Sequence, residues 1–414
     1  MKKRRQRVSE DDVTISRHNA RPQTSFNGEE NALPIPVDLV FEMFSRLPAK
    51  YVAICRCVSK LWASALGCAD FTELFFTRSL DRPQLLFAGK NRGVFSFFSS
   101  PQLQNPDVNP STVVVTPLMH LPLDGICEMY SGPVHGLVCL INKRIINEKT
   151  ETVPVICNPS TGQFLPLPKV KTERVNVISY LGYDPVGIQF KVLAMTCPNP
   201  KYGNLRRICG EHQVLTLGCG KLSWRMIDSS VPPQLIYKDF ETGICINGGL
   251  YYPASVDGVL KVICFDVRSE KFTVINLDKG MVSLNLCGTL VNYKGKLGAL
   301  DVSDIELRPV TGHTKCFQLW VLIDAEKHEW LKYSYVLPPL WKNVVGKAFV
   351  GVTGTNEIVL STKYSFAPFR VFYYNLENQT VRKVEMQGMD IINNDFQSFV
   401  DHVEDVKLME MFPT

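Results

Sequence analysis

Thiols and imidazoles are the side chains of this sequence that could bind a metal ion or act as nucleophiles. The chain has 13 cysteines and seven histidines. Cys55 and Cys57 stand close together, but no second pair or histidine cluster accompanies them at the spacing that a zinc site needs. The cysteines are odd in number and scattered, and several lie in apolar stretches such as Val262 to Phe265. We therefore expect buried free thiols in a reducing compartment and no metal site.

Motifs for catalysis are equally sparse. The sequence contains no Gly-x-Ser-x-Gly nucleophile elbow, no Gly-x-x-x-x-Gly-Lys phosphate loop and no His-Glu-x-x-His metal motif. Gly248 and Gly249, like Gly218 and Gly220, have no predicted helix after them, which is typical of hairpin turns rather than nucleotide loops. The sequence thus predicts no catalytic residue, no cofactor and no enzymatic activity.

Charge is unevenly placed along the chain. The formal net charge is +5, and residues 2–7 alone carry five positive charges, so the remainder is close to neutral. No stretch combines basic and aromatic residues as single-stranded nucleic acid would require, and we expect no nucleic-acid partner. No run of about 18 apolar residues occurs, so we expect no membrane partner either. Residues 1–30 are expected to be a disordered polar tail, and their basic start is either a nuclear-import signal or a solvated end.

Between residues 31 and 80 the sequence has helical periodicity. Apolar residues recur at steps of three and four, which places them on single faces of helices. Three predicted helices carry, in turn, Leu39, Val40, Met43, Phe44 and Leu47; Val52, Cys55, Val58, Leu61, Trp62 and Leu66; and Phe71, Leu74 and Phe75. A core of this size is marginal by itself, so we expect the module to depend on a partner.

Residues 81–410 have the pattern of short strands. Runs of about five β-branched and aromatic residues alternate with turn residues. Five turns that precede an aromatic-bearing strand lie about 50 to 60 residues apart, which is typical of a kelch-like propeller with four strands per blade. Their anchors are Asn158, Gly218, Asp266, Asp324 and Asn375. A hairpin near Phe95 supplies a sixth blade, so the predicted fold class is α+β, with a three-helix module before a mostly-β propeller of six blades. Two stacked sandwiches are the alternative.

The helical stretch closely resembles the F-box of plant F-box proteins. The family has a Pro-x-Asp-Leu opening, an apolar helix, Arg-Leu-Pro and then Arg-x-Val-x-Lys-x-Trp. The matching residues here are Pro36, Asp38, Leu39, Arg46, Leu47, Pro48, Arg56, Val58, Lys60 and Trp62. Later stretches, such as Cys157 to Gly162 and Gly182 to Pro185, look like the F-box-associated domain of that family. Ile54 departs from the pattern, because relatives often carry Arg there.

The resemblance implies a set of partner-binding residues. By the family's pattern, Pro36, Leu39, Leu47 and Pro48 would face a Skp-type adaptor protein. Val58 and Trp62 would hold the three helices together and complete part of the interface. Helical spacing alone does not separate an interface residue from a core residue, so each of the six could also be a plain core residue.

Loops of the β domain are the candidate binding sites for a client protein, since variable loops on a rigid scaffold commonly carry specificity. Two stretches combine aromatic residues with arginine, as interface hot spots often do. Tyr202 and Arg206 lie in the first, residues 199–207, and Phe366 and Phe369 lie in the second, residues 364–370. Ordinary connections between blades are the alternative for either stretch, and they are the more common explanation for any single loop.

Three functions fit these observations. The resemblance implies the substrate-recognition subunit of an SCF-type cullin–RING ubiquitin ligase, which would bind the Skp-type adaptor, the ligase core and a client of unknown identity. A protein-interaction adaptor without ubiquitination is the alternative, and a propeller enzyme with carboxylates clustered at its central channel is a third. The expected location is the nucleus, the cytoplasm or both.

Overall fold

The structure is a computed structural model. It describes residues 35–91, 94–103, 110–122, 125–146, 149–174, 176–197, 206–218, 220–229, 231, 234–237, 243–281, 288–302, 316–337, 347–362, 368–389 and 396–407. The predicted tail at residues 1–30, including the basic stretch, lies outside the described residues.

Four helices form the helical module within the described residues. They are α1 Val37–Phe44, α2 Ala49–Arg56, α3 Lys60–Gly67 and α4 Ala69–Ser79. The predicted count of three is wrong because the second predicted helix is interrupted after Arg56. Ser59 has an extended backbone, and its side chain accepts a hydrogen bond from the N–H of Trp62 at 3.2 Å. A serine in this position caps a new helix rather than continuing the old one.

Strands occupy the chain from residue 84 to residue 402. The first half contains β1 Gln84–Asn91, β2 Val94–Pro101, β3 Thr112–Val114, β4 Thr116–Leu121, β5 Ile126–Met129, β6 Val138–Ile146, β7 Lys149–Asn158, β8 Gln163–Pro166, β9 Asn176–Asp184, β10 Gln189–Cys197, β11 Arg206–Cys209, β12 Glu211–Thr216 and β13 Arg225–Ile227. The second half contains β14 Gln234–Tyr237, β15 Ile244–Ile246, β16 Gly249–Val256, β17 Val259–Asp266, β18 Phe272–Asn276, β19 Thr289–Tyr293, β20 Lys296–Val302, β21 Cys316–Asp324, β22 Glu329–Val336, β23 Lys347–Val352, β24 Glu357–Thr362, β25 Arg370–Asn375, β26 Val381–Gln387 and β27 Phe396–His402.

These strands form six sheets, which are the six blades of a propeller. In blade order they are β27-β1-β2-β4, β5-β6-β7-β8, β9-β10-β12-β13, β11-β14-β16-β17-β18 with β15 on β16, β19-β20-β21-β22, and β23-β24-β25-β26-β3. The predicted propeller is therefore confirmed, and the alternative of two sandwiches is wrong. Each of the five anchor residues lies at the end of the third main strand of its blade or in the connection to the fourth. The main strands of the fourth blade are β15 to β18, and those of the sixth are β23 to β26.

The first blade closes the ring with strands from both ends of the domain. Its innermost strand, β27, pairs antiparallel with β1, so that Phe87 faces Ser398 and Gln84 faces His402. The predicted hairpin near Phe95 is the β1–β2 pair of this blade. Such pairing fixes the last strand of the chain to the first, so the ring can close only when β27 is in place.

Apolar cores fill the space between neighbouring blades. The largest contains Ile141, Leu193, Trp224 and Phe265 from three adjacent sheets. Separate clusters join the fifth blade to the sixth and the sixth to the first. Large buried aromatic side chains supply much of the burial that stabilises such an assembly.

The helical module lies against one face of the propeller. The ring of Phe76 in α4 stacks on the ring of His135 at 5.3 Å, and His135 is in the turn between β5 and β6. The β9–β10 turn and the end of β27 are on this same face, because Tyr183 and Asp405 both lie against the β5–β6 turn. Antiparallel strands reverse direction at each turn. The connections that leave β6, β10, β20 and β24 start from the opposite face.

Cys197 and Cys209 form a disulfide, so the expectation of free thiols is wrong for these two, whereas nine other described cysteines are free. The sequence separation of 12 residues did not reveal that Cys197 and Cys209 pair, because their contact depends on where β10 ends and β11 begins.

Within the described part of the chain, no helix has the length and apolar composition that crossing a membrane requires.

Candidate docking surface

Several apolar side chains of the helical module point into solvent. Leu39 and Val58 have 55% and 69% of their surface exposed, and Pro36 and Pro48 are also exposed. Leu47 and Trp62 are half-buried. Large apolar side chains usually cover one another in a folded chain, so a group of exposed ones indicates a site where another protein binds.

Helix α1 has two apolar faces rather than one. Val40 is fully buried and Phe44 packs in the module core, whereas Leu39 and Met43 are exposed. The prediction that these residues share a single face is therefore wrong. Consecutive residues lie about 100° apart around a helix, so Val40 and Phe44 form the inner row while Leu39 and Met43 form a second row beside it.

Trp62 and Val58 have different roles. The ring of Trp62 lies 5.1 Å from the ring of Phe44, so Trp62 does hold α3 against α1. Val58 does not hold helices together, because it lies in the turn between α2 and α3 and its side chain faces solvent. Its exposure leaves it free to contact a partner.

The corner formed by Leu47 and Pro48 is held from both sides. The guanidinium of Arg82 donates to the carbonyl oxygens of Ser45 and Leu47 at 3.0 and 2.9 Å. On the other side, a carboxylate oxygen of Glu404 accepts a hydrogen bond from the N–H of Ala49 at 3.2 Å. Pro48 provides no side-chain cap for α2, so this carboxylate satisfies one of the helix's free N–H groups. The exposed Pro48 is thus presented on a fixed backbone.

Charges beside α1 form a small network. Glu42 is paired with both Arg46 and Arg78. The hydrogen bond from Arg78, followed by that from Arg46, lowers the pKa of Glu42 below its ordinary value. These pairs are partly exposed and contribute little to stability, but the pair with Arg78 joins α1 to α4.

Sequence reasoning missed part of the exposed apolar set. Met43, Tyr51 and Ile54 each expose about half of their surface. Tyr51 and Ile54 are three residues apart on α2, so they lie on one side of that helix. The departure of Ile54 from the family pattern was the available signal, because a position that tolerates Arg is a surface position. We define the docking surface as Pro36, Leu39, Met43, Leu47, Pro48, Tyr51, Ile54, Val58 and Trp62.

The structure describes only some of the candidate client-binding residues. Tyr202 and Phe366 lie outside the described residues, and for Arg206 only the backbone, at the start of β11, is described. Phe369 is 4% exposed and its ring packs edge-on against Phe87 at 5.5 Å. Phe369 therefore offers no exposed ring to a client, because it lies where the connection enters β25 and fills the core between the sixth blade and the first.

The strands that precede the two candidate stretches end on the same face of the propeller. Residues 199–207 follow the end of β10, and residues 364–370 follow the end of β24. Both strand ends lie on the face opposite the helical module.

Groups that resemble catalytic residues have structural partners. The hydroxyl of Ser96 lies 2.7 Å from Nδ1 of His120, but this serine is buried within its sheet. Three carboxylates on the innermost strands are each bonded nearby: Glu128 to Lys143, Asp184 to the N–H of Val186, and Asp401 to Gln102. None of the described residues forms a group of three that could hold a metal ion.

Comparison with known proteins gives matches over nearly the whole chain. Residues 33–72 match the F-box domain, and residues 84–403 match the F-box associated beta propeller domain. Three Arabidopsis thaliana proteins are similar in sequence. F-box protein At5g65850 is 47% identical, covering 99% of both chains; F-box protein DOR is 48% identical, covering 99% of this chain and 100% of the relative; and putative F-box protein At3g23960 is 45% identical, covering 97% and 98%.

Proposed function

The chain belongs to the F-box proteins that carry an F-box associated β-propeller domain, and we propose that it is the substrate-recognition subunit of an SCF-type cullin–RING ubiquitin ligase. In this role the docking surface binds a Skp-type adaptor, and the propeller binds the client protein. The combination of the two domains fits a substrate-recognition adaptor rather than an enzyme.

The exposure of the docking surface is the observation that carries this proposal. Leu39 and Val58 are exposed on a module whose own core is already filled by Val40, Phe71 and Phe75. Covering exposed apolar side chains of this kind contributes most of the free energy of a helix-packing interface. A partner that offers an apolar groove would therefore bind here.

The arrangement of the two faces supports a bridging role. The adaptor would bind the module on one face, and the client would bind the opposite face, where the connections after β10 and β24 begin. Neither partner then obstructs the other. We further propose that this takes place in the nucleus or the cytoplasm, where cullin–RING ligases and their clients would meet the protein.

Leu39→Asp tests adaptor binding directly. Its side chain is exposed, so the substitution should leave the fold intact, while a buried charge in the interface should weaken binding to a purified Skp-type adaptor by at least about tenfold. Ile145→Asp is the matched control, because Ile145 is 78% exposed on the face away from the module. Equal adaptor affinity of wild type and Leu39→Asp would contradict the proposal.

The ligase role requires a second measurement. Client proteins captured with the wild-type chain should become longer-lived when the proteasome is inhibited, and Leu39→Asp should have the same effect without the inhibitor. Adaptor binding combined with client lifetimes that neither treatment changes would instead support the interaction adaptor without ubiquitination.

A further inference from the structure

Residues 403–407, which we call the clamp segment, follow the innermost strand of the closing blade and run between the propeller and the helical module. Val406 is 1% exposed, and its side chain is part of the module core together with Val40, Val52 and Phe71. The core of the module is therefore completed by a residue from the far end of the chain. The small helical module thus depends on the C-terminal part of its own chain for a complete core.

Polar contacts from the module also hold the clamp segment. Arg56 at the end of α2 donates to the carbonyl oxygen of Val406 at 2.7 Å and to that of Leu66 at 3.1 Å, so it joins α2, α3 and the segment. Glu404 accepts from the N–H of Ala49 at the start of α2. Both ends of α2 are thus fixed by the clamp segment.

Propeller residues hold the opposite side of the clamp segment. The side-chain amide of Asn158 donates to the carbonyl oxygens of Asp405 and Lys407 at 3.0 and 3.1 Å. The hydroxyl of Ser160 accepts from the N–H of Asp405 at 3.3 Å. Gly136 leaves room for the segment, because a Cβ atom there would come within 2.6 Å of the Cβ of Asp405. The segment is therefore hydrogen-bonded both to the second blade and to α2.

We propose that the clamp segment is a positioning element that makes the docking surface competent only when the propeller is closed. Glu404 and Val406 are positioning residues: they hold α2 and the Leu47–Pro48 corner in the geometry that a partner recognises, and they do not themselves need to touch it. Because the segment follows β27 directly, it reaches its place only when β27 has paired with β1. A chain whose propeller is open or incomplete would then present a loosened docking surface. The part of this proposal that concerns the adaptor rests on the proposed function.

Hydrogen exchange of the full chain, followed by mass spectrometry, tests the clamp independently of any partner. Val406→Asp places a charge in the module core, so amides of α1 to α3 should exchange at least about tenfold faster, while strands of the third, fourth and fifth blades keep their protection. Val259→Asp is the matched control, since Val259 is exposed on the far face and should change neither region. Unchanged exchange in α1 to α3 would overturn the proposal, and so would an equal loss of protection throughout the propeller.

Two variants of Glu404 distinguish a positioning role from a general effect on stability. Glu404→Met removes the acceptor for Ala49 and should weaken binding of a purified Skp-type adaptor by about tenfold, whereas Glu404→Gln keeps a side-chain oxygen and should stay within about threefold of wild type. Equal affinities of the two variants would contradict the positioning role. If the wild-type chain itself does not bind the adaptor, the proposed function fails, and the exchange measurement still decides whether the clamp exists.

Discussion

The side-chain amide of Asn158 donates a hydrogen bond to the carbonyl oxygen of Asp405 at 3.0 Å, although the two residues are 247 positions apart. Asn158 is fully buried, and its side-chain oxygen also accepts from the N–H groups of Ser160 and Thr161 in its own turn. One asparagine therefore shapes a turn of the second blade and holds the segment that reaches the helical module. The turn that marks the repeat in the sequence is also part of the junction between the two domains.

Asn158→Ala should destabilise the chain more than the same change in an equivalent turn. Asn375 is a matched control, because its side-chain oxygen likewise accepts from the two N–H groups that follow, those of Glu377 and Asn378. The additional bonds of Asn158 to Asp405 and Lys407 should make the loss larger by about 1 to 3 kcal/mol. Urea unfolding of both variants gives the comparison, and equal losses would show that the bonds to the clamp segment contribute nothing.

Val58 and Trp62 should respond differently to substitution. Val58→Asp changes an exposed turn residue and should alter the free energy of unfolding by less than about 0.5 kcal/mol. Trp62→Ala removes the contact with Phe44 and should cost about 2 kcal/mol, which is less than a fully buried tryptophan would cost. Thermal unfolding measures both. If Val58→Asp proved the more destabilising variant, its side chain would not be exposed as the structure shows.

The buried pair of Glu357 and Arg382 gives a test inside the sixth blade. Two hydrogen bonds of 3.0 and 2.6 Å join these side chains, and the guanidinium lies 4.0 Å above the ring of Tyr373. Glu357→Leu alone leaves a buried cation without its partner and should cost about 3 to 5 kcal/mol. The double variant Glu357→Leu with Arg382→Met should recover most of this loss in urea unfolding. A double variant as unstable as the single one would mean that the pair itself stabilises the blade.

Local pattern was enough to predict most of the propeller, because the four main strands of every blade except the first come from neighbouring stretches of chain, although β3 and β11 join the sixth and fourth blades from elsewhere. Turns such as those at Asp266 and Asp324 can be recognised from a few consecutive residues. The closing of the ring was not predictable in this way. The pairing of β1 with β27 joins residues about 310 positions apart, and no local pattern specifies such a partner.

The limits of the helical prediction have a similar cause. Spacing of three and four residues identified the apolar positions of α1, but it could not show that Leu39 and Met43 face outward while Val40 and Phe44 face inward. That choice depends on the surfaces that surround the helix. Val406 supplies one of them, and nothing in its own neighbourhood indicates that it belongs to a helical core.

His402 at the end of β27 should make the chain sensitive to acid. It is fully buried, neither ring nitrogen has a hydrogen-bond partner among the described residues, and burial lowers the pKa of its imidazole from 6.5 to about 4. In the unfolded chain the ring binds a proton at a higher pH than in the folded chain. The stability that it contributes is therefore complete above about pH 6.5 and is lost as the pH falls towards 4. Between about pH 7.5 and 5 this loss should be about 2 kcal/mol.

His402→Phe should remove this part of the pH dependence, because phenylalanine cannot bind a proton and nearly matches the size of the ring. The difference in unfolding free energy between wild type and variant, measured in urea at the two pH values, isolates His402 from Asp405, whose pKa burial raises to about 6 and whose effect has the opposite sign. His212 allows a second test of the same effect, since burial also lowers the pKa of its ring to about 4. The double variant with His212→Phe should be less sensitive to acid than either single variant. If wild type and His402→Phe lose stability in parallel, the ring is protonated within the folded chain and β27 tolerates the charge.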